Sequence, residues 1–464
     1  LHLYGGSSFE KVEPEAGKSG RYYSSGLQVG GSIAQKNHAH QLYYTKEKSN
    51  GQRYNSAAEN DKIFYQGNLN LNKNNHIDWL GSYIHNSFGS NGFYAAPGDR
   101  ESAEIVSTLL ASLSSKHQIN EKLTLSPRFS ARYNKDDYRY YKDDLSKGRS
   151  QHENHSLSGE VNSRYKTAIG DIGLGWESRS EKINSSNIGV HSRINHGAFA
   201  EFRTEYFHNL VINAGAYVNY NSQFGWQLYP GIDMGYTFHP RWRLLFNTGT
   251  SQRIPSYTDL YLDQRPGNIG NAALSSEEAW QMEGALKYKH QNFSAYAGYF
   301  YRNISQFIDW VREDEAQPFQ AMNVGDNRIH GFNSKLKYEF SHGAFNYGLS
   351  VGYNYLNPSL MTADALTSKY KLRILKHQAN LLLQVKYKDL SFSSANRFHE
   401  RQSAATYFLA DVRLAYHINK LNIYTDLQNI FDVQYTEAAA VPMPGRWMSL
   451  GLRYQLTKNN KGAN

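Results

Sequence analysis

Hydrophobic and polar positions alternate with period two along most of this chain, and the last fifty residues display it most plainly. Between Phe408 and Ile418, the side chains of Phe408, Ala410, Val412, Leu414, Tyr416 and Ile418 fall on one side of a predicted strand, with Asp411, Arg413 and His417 on the other. Segments Leu421 to Phe431 and Trp447 to Leu456 alternate likewise. In the second of these, Met448, Leu450, Leu452, Tyr454 and Leu456 back onto Ser449, Gly451, Arg453 and Gln455. The pattern recurs upstream, where Leu123, Leu125, Phe129, Ala131 and Tyr133 oppose Thr124, Arg128, Ser130 and Arg132, and where Leu210, Ile212, Ala214, Ala216, Val218 and Tyr220 form another apolar row. A soluble sandwich hides such rows in a narrow core and seldom sustains them through a whole chain. The predicted class is therefore all-β, a closed transmembrane antiparallel β-barrel.

Punctuation between the rows adds polarity to the barrel. Tight turns such as Lys73-Asn74-Asn75, Asn120-Glu121-Lys122 and His239-Pro240-Arg241 are expected on one rim. Long polar segments, Asn134 to His155, Asn303 to Gln320 and Asn357 to Lys371, are expected as loops on the other. With about 20 residues for each strand and its share of connections, 464 residues give about 22 strands. Barrels of that size enclose a plugged lumen, unlike the smaller open porins.

Composition changes the picture in three places. The chain holds 36 tyrosines and its aromatic content is 14%, which suits the two interfacial girdles of a barrel. Mean hydropathy is −0.67, a value typical of soluble proteins, yet a barrel strand needs only alternate residues to be apolar. Cysteine is absent, so neither disulfides nor thiolate metal sites are available. The net charge of +9 is spread through strands without a recognition helix, and nucleic acid is excluded as a partner. The basic excess is better placed on a lumen wall and against lipopolysaccharide and outer-membrane lipid.

Specific motifs then carry a resemblance. Arg253-Ile254-Pro255-Ser256-Tyr257-Thr258-Asp259-Leu260-Tyr261, followed by Gly270-Asn271-Ala272-Ala273-Leu274 with Ser276, Glu277 and Glu283, resembles a conserved stretch of TonB-dependent outer-membrane receptors. Asn323-Val324-Gly325 with Arg328-Ile329-His330-Gly331-Phe332 is similar to a second such segment. Leu427-Gln428-Asn429-Ile430-Phe431-Asp432 with Tyr435, then Met443-Pro444-Gly445-Arg446, is similar to the elements before the family's final strand. Asn91-Gly92-Phe93-Tyr94 and Asp137-Tyr138 resemble the Bacteroidetes branch. Departures are Asn333 where an acid is common, an offset at Ser276, and a tail, Thr457 to Asn464, beyond Leu456. Within the family, Leu372-Arg373-Ile374-Leu375-Lys376-His377-Gln378 and the overall length resemble the cobalamin receptor most.

The resemblance implies a receptor that captures a scarce nutrient at its extracellular loops and passes it through the lumen. Cobalamin is the first ligand expected, and a siderophore or haem iron chelate is the alternative. It also implies energy from the TonB-ExbB-ExbD complex acting through a plug domain, and a surface lipoprotein cap is a further expected partner. No plug is recognised in residues 1–464, so the whole chain is expected to be barrel; a naturally plugless chain would be a passive pore.

Candidate residues follow from position. Tyr257, Tyr261, Asn271, Tyr301, Phe307 and Trp310 lie near expected extracellular ends, where aromatic faces would cover a flat corrin or a chelate; the upper girdle is the competing assignment. Arg253, Arg328, Arg373 and Arg446 are expected to face the lumen and bond a plug, or to pair charges along the wall. Asp136, Asp137, Asp143 and Asp144 form an acidic loop that would bind calcium through carboxylate oxygens, or would be a solvated loop balanced by Lys135, Arg139 and Lys142. The close histidine pairs His38 with His40 and His152 with His155 are weak metal candidates. No G-x-S-x-G or H-E-x-x-H occurs, and no enzyme is expected.

Overall fold

The computed structural model describes residues 1–13, 20–92, 99–360, 366–369, 374–402, 405–437 and 441–456. The wall begins with β1 (His2–Lys11), β2 (Arg21–Ala34), β3 (His38–Ser49), β4 (Ala58–Asn72), β5 (Asn75–Gly89), β6 (Ala103–Gln118) and β7 (Leu123–Arg139). It continues with β8 (Arg149–Lys166), β9 (Asp171–Ser185), β10 (Gly189–Thr204), β11 (Leu210–Asn221), β12 (Gly225–His239) and β13 (Trp242–Arg253). A helix, α1 (Tyr257–Tyr261), and two short strands, β14 (Asp263–Gln264) and β15 (Asn268–Ile269), precede β16 (Glu277–His290) and β17 (Phe293–Ser305). Two more short strands, β18 (Ile308–Arg312) and β19 (Phe319–Asn323), lead to β20 (Asn327–His342) and β21 (Phe345–Leu360). After β22 (Thr367–Ser368) the wall ends with β23 (Leu375–Tyr387), β24 (Leu390–Arg401), β25 (Tyr407–Ile418), β26 (Leu421–Gln428) and β27 (Trp447–Tyr454).

Twenty-two of these strands form one antiparallel sheet, which closes where β1 pairs with β27, with Leu3 opposite Leu452 and Tyr4 opposite Gly451. The terminal amine of Leu1 donates to the Tyr454 carbonyl at 2.9 Å and extends the seam by one bond. Closure gives every wall strand a neighbour on both sides, the condition for crossing hydrocarbon with strands.

Alternation sets the two faces. Leu450 is 59% exposed and Leu228 62%, on a face that also carries Phe246, Leu286, Leu336 and Leu414. These residues pair with one another across strands, as Tyr338 with Leu349 and Leu349 with Leu383. The opposite face is polar and charged and lines the lumen. Large rings there lie flat over glycines of the neighbouring strand: a Cβ at Gly197 would stand 1.9 Å from the Tyr217 hydroxyl oxygen, which donates to Glu177 at 2.5 Å. The glycine makes room for the ring, and the ring covers the glycine's backbone.

Three loop assignments need correction. Residues 134–155 are mostly strand, because β7 and β8 continue past the apolar band and leave residues 140–148 as the connection. Residues 303–320 hold the end of β17, β18 and the start of β19, and the described part of 357–371 holds the end of β21 and all of β22; β18, β19 and β22 belong to a second sheet. Segment 421–431 stops as strand at Gln428, where Asn429 takes a positive φ of 46° and its side chain binds Val433. The rims are polarised as expected, with two exceptions: on the long-loop rim, β9 to β10 and β11 to β12 are joined by only residues 186–188 and 222–224.

Phe246 lies on the apolar outer face near mid-strand, and Gln281 lies exposed on the lumen face of β16. Phe246→Arg is expected to lower stability by about 2–4 kcal/mol, against little change for Gln281→Arg. Denaturant unfolding of the barrel refolded in phospholipid vesicles checks the difference.

Candidate functional site

Three successive long-rim connections are joined into one structure. Strands β14, β15, β19, β18 and β22, drawn from the segments after β13, β17 and β21, hydrogen-bond in that order into a five-stranded sheet. None of these strands exceeds five residues. Their stability therefore rests on packing between loops. Leu260, Leu274, Ile308, Trp310 and Ala321 are buried together, with Phe224, Tyr261, Leu262 and Phe319 around them. This small apolar core makes a cap on the long-loop rim.

The cap begins where Pro255 and Ser256 turn the chain out of β13. Ser256 caps α1: its hydroxyl accepts the Asp259 N–H at 3.1 Å, and the Asp259 carboxylate accepts the Ser256 N–H at 3.1 Å. Arg253, the last residue of β13, faces inward and ties the helix to the wall. Its Nε and Nη2 donate to Glu277 at 2.8 and 2.9 Å, and its Nη1 donates to Asp259 at 3.1 Å. Glu277 also accepts the Ile308 N–H at 2.7 Å, and Asp259 accepts Trp310 Nε1 at 3.2 Å. Two buried carboxylates thus connect β13, β16, α1 and β18 through one guanidinium, by bonds of the strong charge-assisted kind.

A third carboxylate works differently. Asp309 is buried and accepts the Ser368 hydroxyl and, at 2.7 Å, the Trp310 N–H. Burial pushes its carboxyl above the usual carboxylate range, partly countered by those two donors.

Inside the mouth, α1 reaches along the wall to β10, three strands from β13. His191 and Arg193 share the lumen side of β10 with Gly197, over which Tyr217 lies, while Val190 and Ile194 face out. The His191 and Tyr261 rings stack with centroids 3.7 Å apart and planes within 6°. The Arg193 guanidinium sits 4.7 Å above the Tyr257 ring, and its Nη1 donates to the Pro255 carbonyl at 3.0 Å. Arg193 Nε also reaches Glu181 at 2.6 Å. The helix accordingly leans across the inner faces of β11 and β12. Burial pushes the Tyr257 phenol up to about 12, so it stays a neutral donor at physiological pH. Flat rings, an imidazole and a guanidinium gathered at a lumen entrance suit a planar or anionic ligand.

The structure sorts the sequence candidates. Tyr257 and Tyr261 are brought together in this inner cluster. Asn271 shapes the loop, donating its N–H to the Asp259 carbonyl at 2.8 Å and accepting the Ala273 N–H at 3.0 Å. Phe307 exchanges backbone bonds with Val324 and Gly325 at the base of the cap. Trp310 is only 5% exposed, a core residue of the cap and not a surface for ligand. Tyr301 faces outward: it pairs with Met282 and packs 6.0 Å from Trp280, so it belongs to the girdle.

Among the arginines, Arg253 faces the lumen side but is engaged in the cap. Arg328 is on the outer face, two strand positions from His330 and four from Phe332, in an unbroken register. Arg446 is exposed in the loop before β27, where its N–H donates to Asp432 at 2.7 Å. Arg373 lies outside the described residues.

The four aspartates are not gathered into a metal set. Asp136 and Asp137 are consecutive on β7 and face opposite sides; Asp137 is bound by Arg139 and by Arg149, the latter at 2.6 Å. Asp144 caps a short 3-10 turn through Ser146. Among the described residues, no group of three or more His, Asp or Glu side chains is placed to hold a metal ion. His38 and His40 hydrogen-bond each other at 3.1 Å, and His152 and His155 fall on opposite faces of β8. Sequence reasoning missed His191, Arg193 and Glu181, which alternate like any other wall residues; Asp259 and Glu277 were visible as motif letters without a role.

Arg253→Ala is expected to cost the cap about 1.5–3 kcal/mol for each charge-assisted bond lost while leaving the barrel folded. Faster proteolysis and hydrogen exchange in residues 254–276 and 306–326, with unchanged heat-modifiable migration of the barrel, are the signs to look for. Asp309 supplies a pH dependence of fixed sign. With its folded pKa raised, its contribution is fully present below the ordinary carboxylate value and is lost as pH rises through the folded value. Exchange protection of residues 308–312, corrected for intrinsic rates, should fall from pH 4 to pH 7 and should become flat in Asp309→Asn.

Comparison with known proteins gives a consistent result. The family described as TonB dependent receptor-like, beta-barrel, matches residues 12–460. Among solved structures, the siderophore receptor PirA from Pseudomonas aeruginosa is similar at a TM-score of 0.72 and 14% identity, over 98% of this chain and 78% of that one. A mutant ferric enterobactin receptor PfeA from Pseudomonas aeruginosa, in complex with enterobactin, is similar at 0.76 and 14% identity, over 98% and 80%. The FrpB iron transporter from Neisseria meningitidis is similar at 0.75 and 12% identity, over 98% and 80%. At these identities the likeness is one of fold.

Proposed function

Because this chain belongs to the TonB-dependent receptor β-barrel family of the Gram-negative outer membrane, we propose that its capped mouth captures an anionic ferric chelate and that its lumen passes the chelate inward. The observation that carries this reading is the cluster of Arg193, Tyr257, Tyr261 and His191, a guanidinium and three flat rings held at the lumen entrance. The lumen faces of neighbouring strands add cations, with Arg302 on β17 and Lys335 on β20, which favours negative charge in transit. The similar structures named for siderophore, ferric enterobactin and iron transport agree in ligand class.

A corrinoid is the second reading, favoured by the coplanar His191–Tyr261 face, which suits a flat macrocycle. It does not draw support from a calcium loop, since Asp136, Asp137, Asp143 and Asp144 are dispersed. The charged lumen wall is the socket we assign to a plug domain, through which the TonB-ExbB-ExbD complex would deliver energy.

Calorimetric titration of the detergent-purified receptor with a ferric catecholate, a ferric hydroxamate and cyanocobalamin tests the proposal. A ferric chelate should bind, and Tyr261→Ala and Arg193→Ala should each weaken it about tenfold, which is about 1.4 kcal/mol. Binding of cyanocobalamin alone would overturn the ferric reading in favour of the corrinoid.

A further inference from the structure

The wall has a local defect on its outer side. Pairing of β12 with β13 starts at Gly231 opposite Gly249, one residue below Pro230, although β12 keeps its register with β11 up to Gly225 and β13 keeps its register with β16 up to Arg253. Proline has no N–H to give to a ladder and is tolerated in sheets only where pairing stops. Above Pro230 the two strands therefore part, and each is paired on one side only. A cleft of about 430 Å³ occupies the gap.

The chemistry of this cleft is specific. Trp226, 75% exposed, and Trp280, 43% exposed, stand at it on the outer face. Gln252 on β13 and Glu278 on β16 lie beside the gap, and Asn303 and Ser305 lie on β17 beyond Trp280, all on outward positions of their strands. The Tyr229 hydroxyl crosses the gap to Gln252 Oε1 at 2.5 Å. The Asn303 Oδ1 is buried without a hydrogen-bond partner, a state that costs free energy unless a donor arrives from outside. The lining is rich in acceptors, and Glu278 is its one charged residue. Without Lys or Arg it does not suit phosphate. Exposed aromatic rings beside amide and carboxylate acceptors suit a ligand with apolar C–H faces and many hydroxyl donors, which is a saccharide.

Position selects the source. The cleft lies just above the Trp280–Tyr301 girdle, at the long-loop rim, which is the level of headgroups in the outer leaflet. That leaflet is built of glycolipid. We infer that the β12–β13 cleft binds the core sugars of an outer-leaflet glycolipid through Trp226, Trp280, Gln252, Glu278 and Asn303. These five residues approach the cleft from outward positions, while Gln227, Tyr229 and Ser251 line it from the lumen side.

The test uses the full chain in detergent, depleted of endogenous glycolipid. Two probes are titrated against tryptophan fluorescence: core oligosaccharide released from rough-type lipopolysaccharide without its acyl chains, and lipid A without the core. Core oligosaccharide should bind saturably, should not be displaced by lipid A, and should bind at least tenfold more weakly to the Asn303→Ala, Glu278→Gln double variant. Pro230→Val restores an N–H to the ladder and should abolish binding by closing the seam, while the barrel keeps its heat-modifiable migration. Absence of saturable binding, displacement by lipid A, or equal affinity in both folded variants would overturn the inference.

Discussion

Pairing of every wall strand on both sides is the constraint on which the rest of this structure depends. Hydrocarbon offers no partner for an amide or a carbonyl, so a sheet that crosses it must have no edge. Here the requirement is met at one seam, where β1 of the chain's first residues and β27 of its last lie side by side. Once closed, the sheet has an outer face that must be apolar and an inner face that need not be, and period-two alternation follows from that difference. Each wall hairpin then returns to the rim it left, which separates tight turns from long connections.

The cap obeys a different physics. Its strands are too short to persist by their ladders, and its five-residue helix is far below the length at which helices hold by themselves. What organises it is a small apolar core around Trp310 and one guanidinium shared between Glu277 and Asp259. Buried carboxylates are tolerated there because each has several donors; without them the same charges would oppose folding. This arrangement fixes α1 over the lumen and so places Tyr257 and Tyr261 against His191 and Arg193. The cluster at the mouth is thus a consequence of the cap, and the cap a consequence of one arginine at the end of a wall strand.

The interrupted pairing of β12 with β13 at Pro230 illustrates the same rule from its failure. Where a strand cannot donate, the sheet opens, and the gap appears above the girdle, at the level where polar headgroups and water can satisfy the freed backbone groups. Inside the apolar band such a gap would leave them unpaired.

Much of this was legible in the sequence, because a barrel writes its faces into alternate residues. Leu123 to Tyr133, Leu210 to Tyr220 and Met448 to Tyr454 each fall on the face their pattern assigns, and the strand number follows from chain length. The motif around Arg253 was visible too, but not what it holds. Parity also contained the outward placement of Tyr301 and Arg328, hidden only because strands β17 and β20 extend past the apolar band into segments that look like polar loop. The cap and its partners were not legible at all. Contacts between residues 254–276, 306–326 and 366–369, and between α1 and His191 on β10, have no period and no fixed spacing. Sequence alone determined the wall, since each residue there answers to lipid or lumen by itself; tertiary structure decided the site, since its residues acquire meaning only from what three distant loops bring beside them.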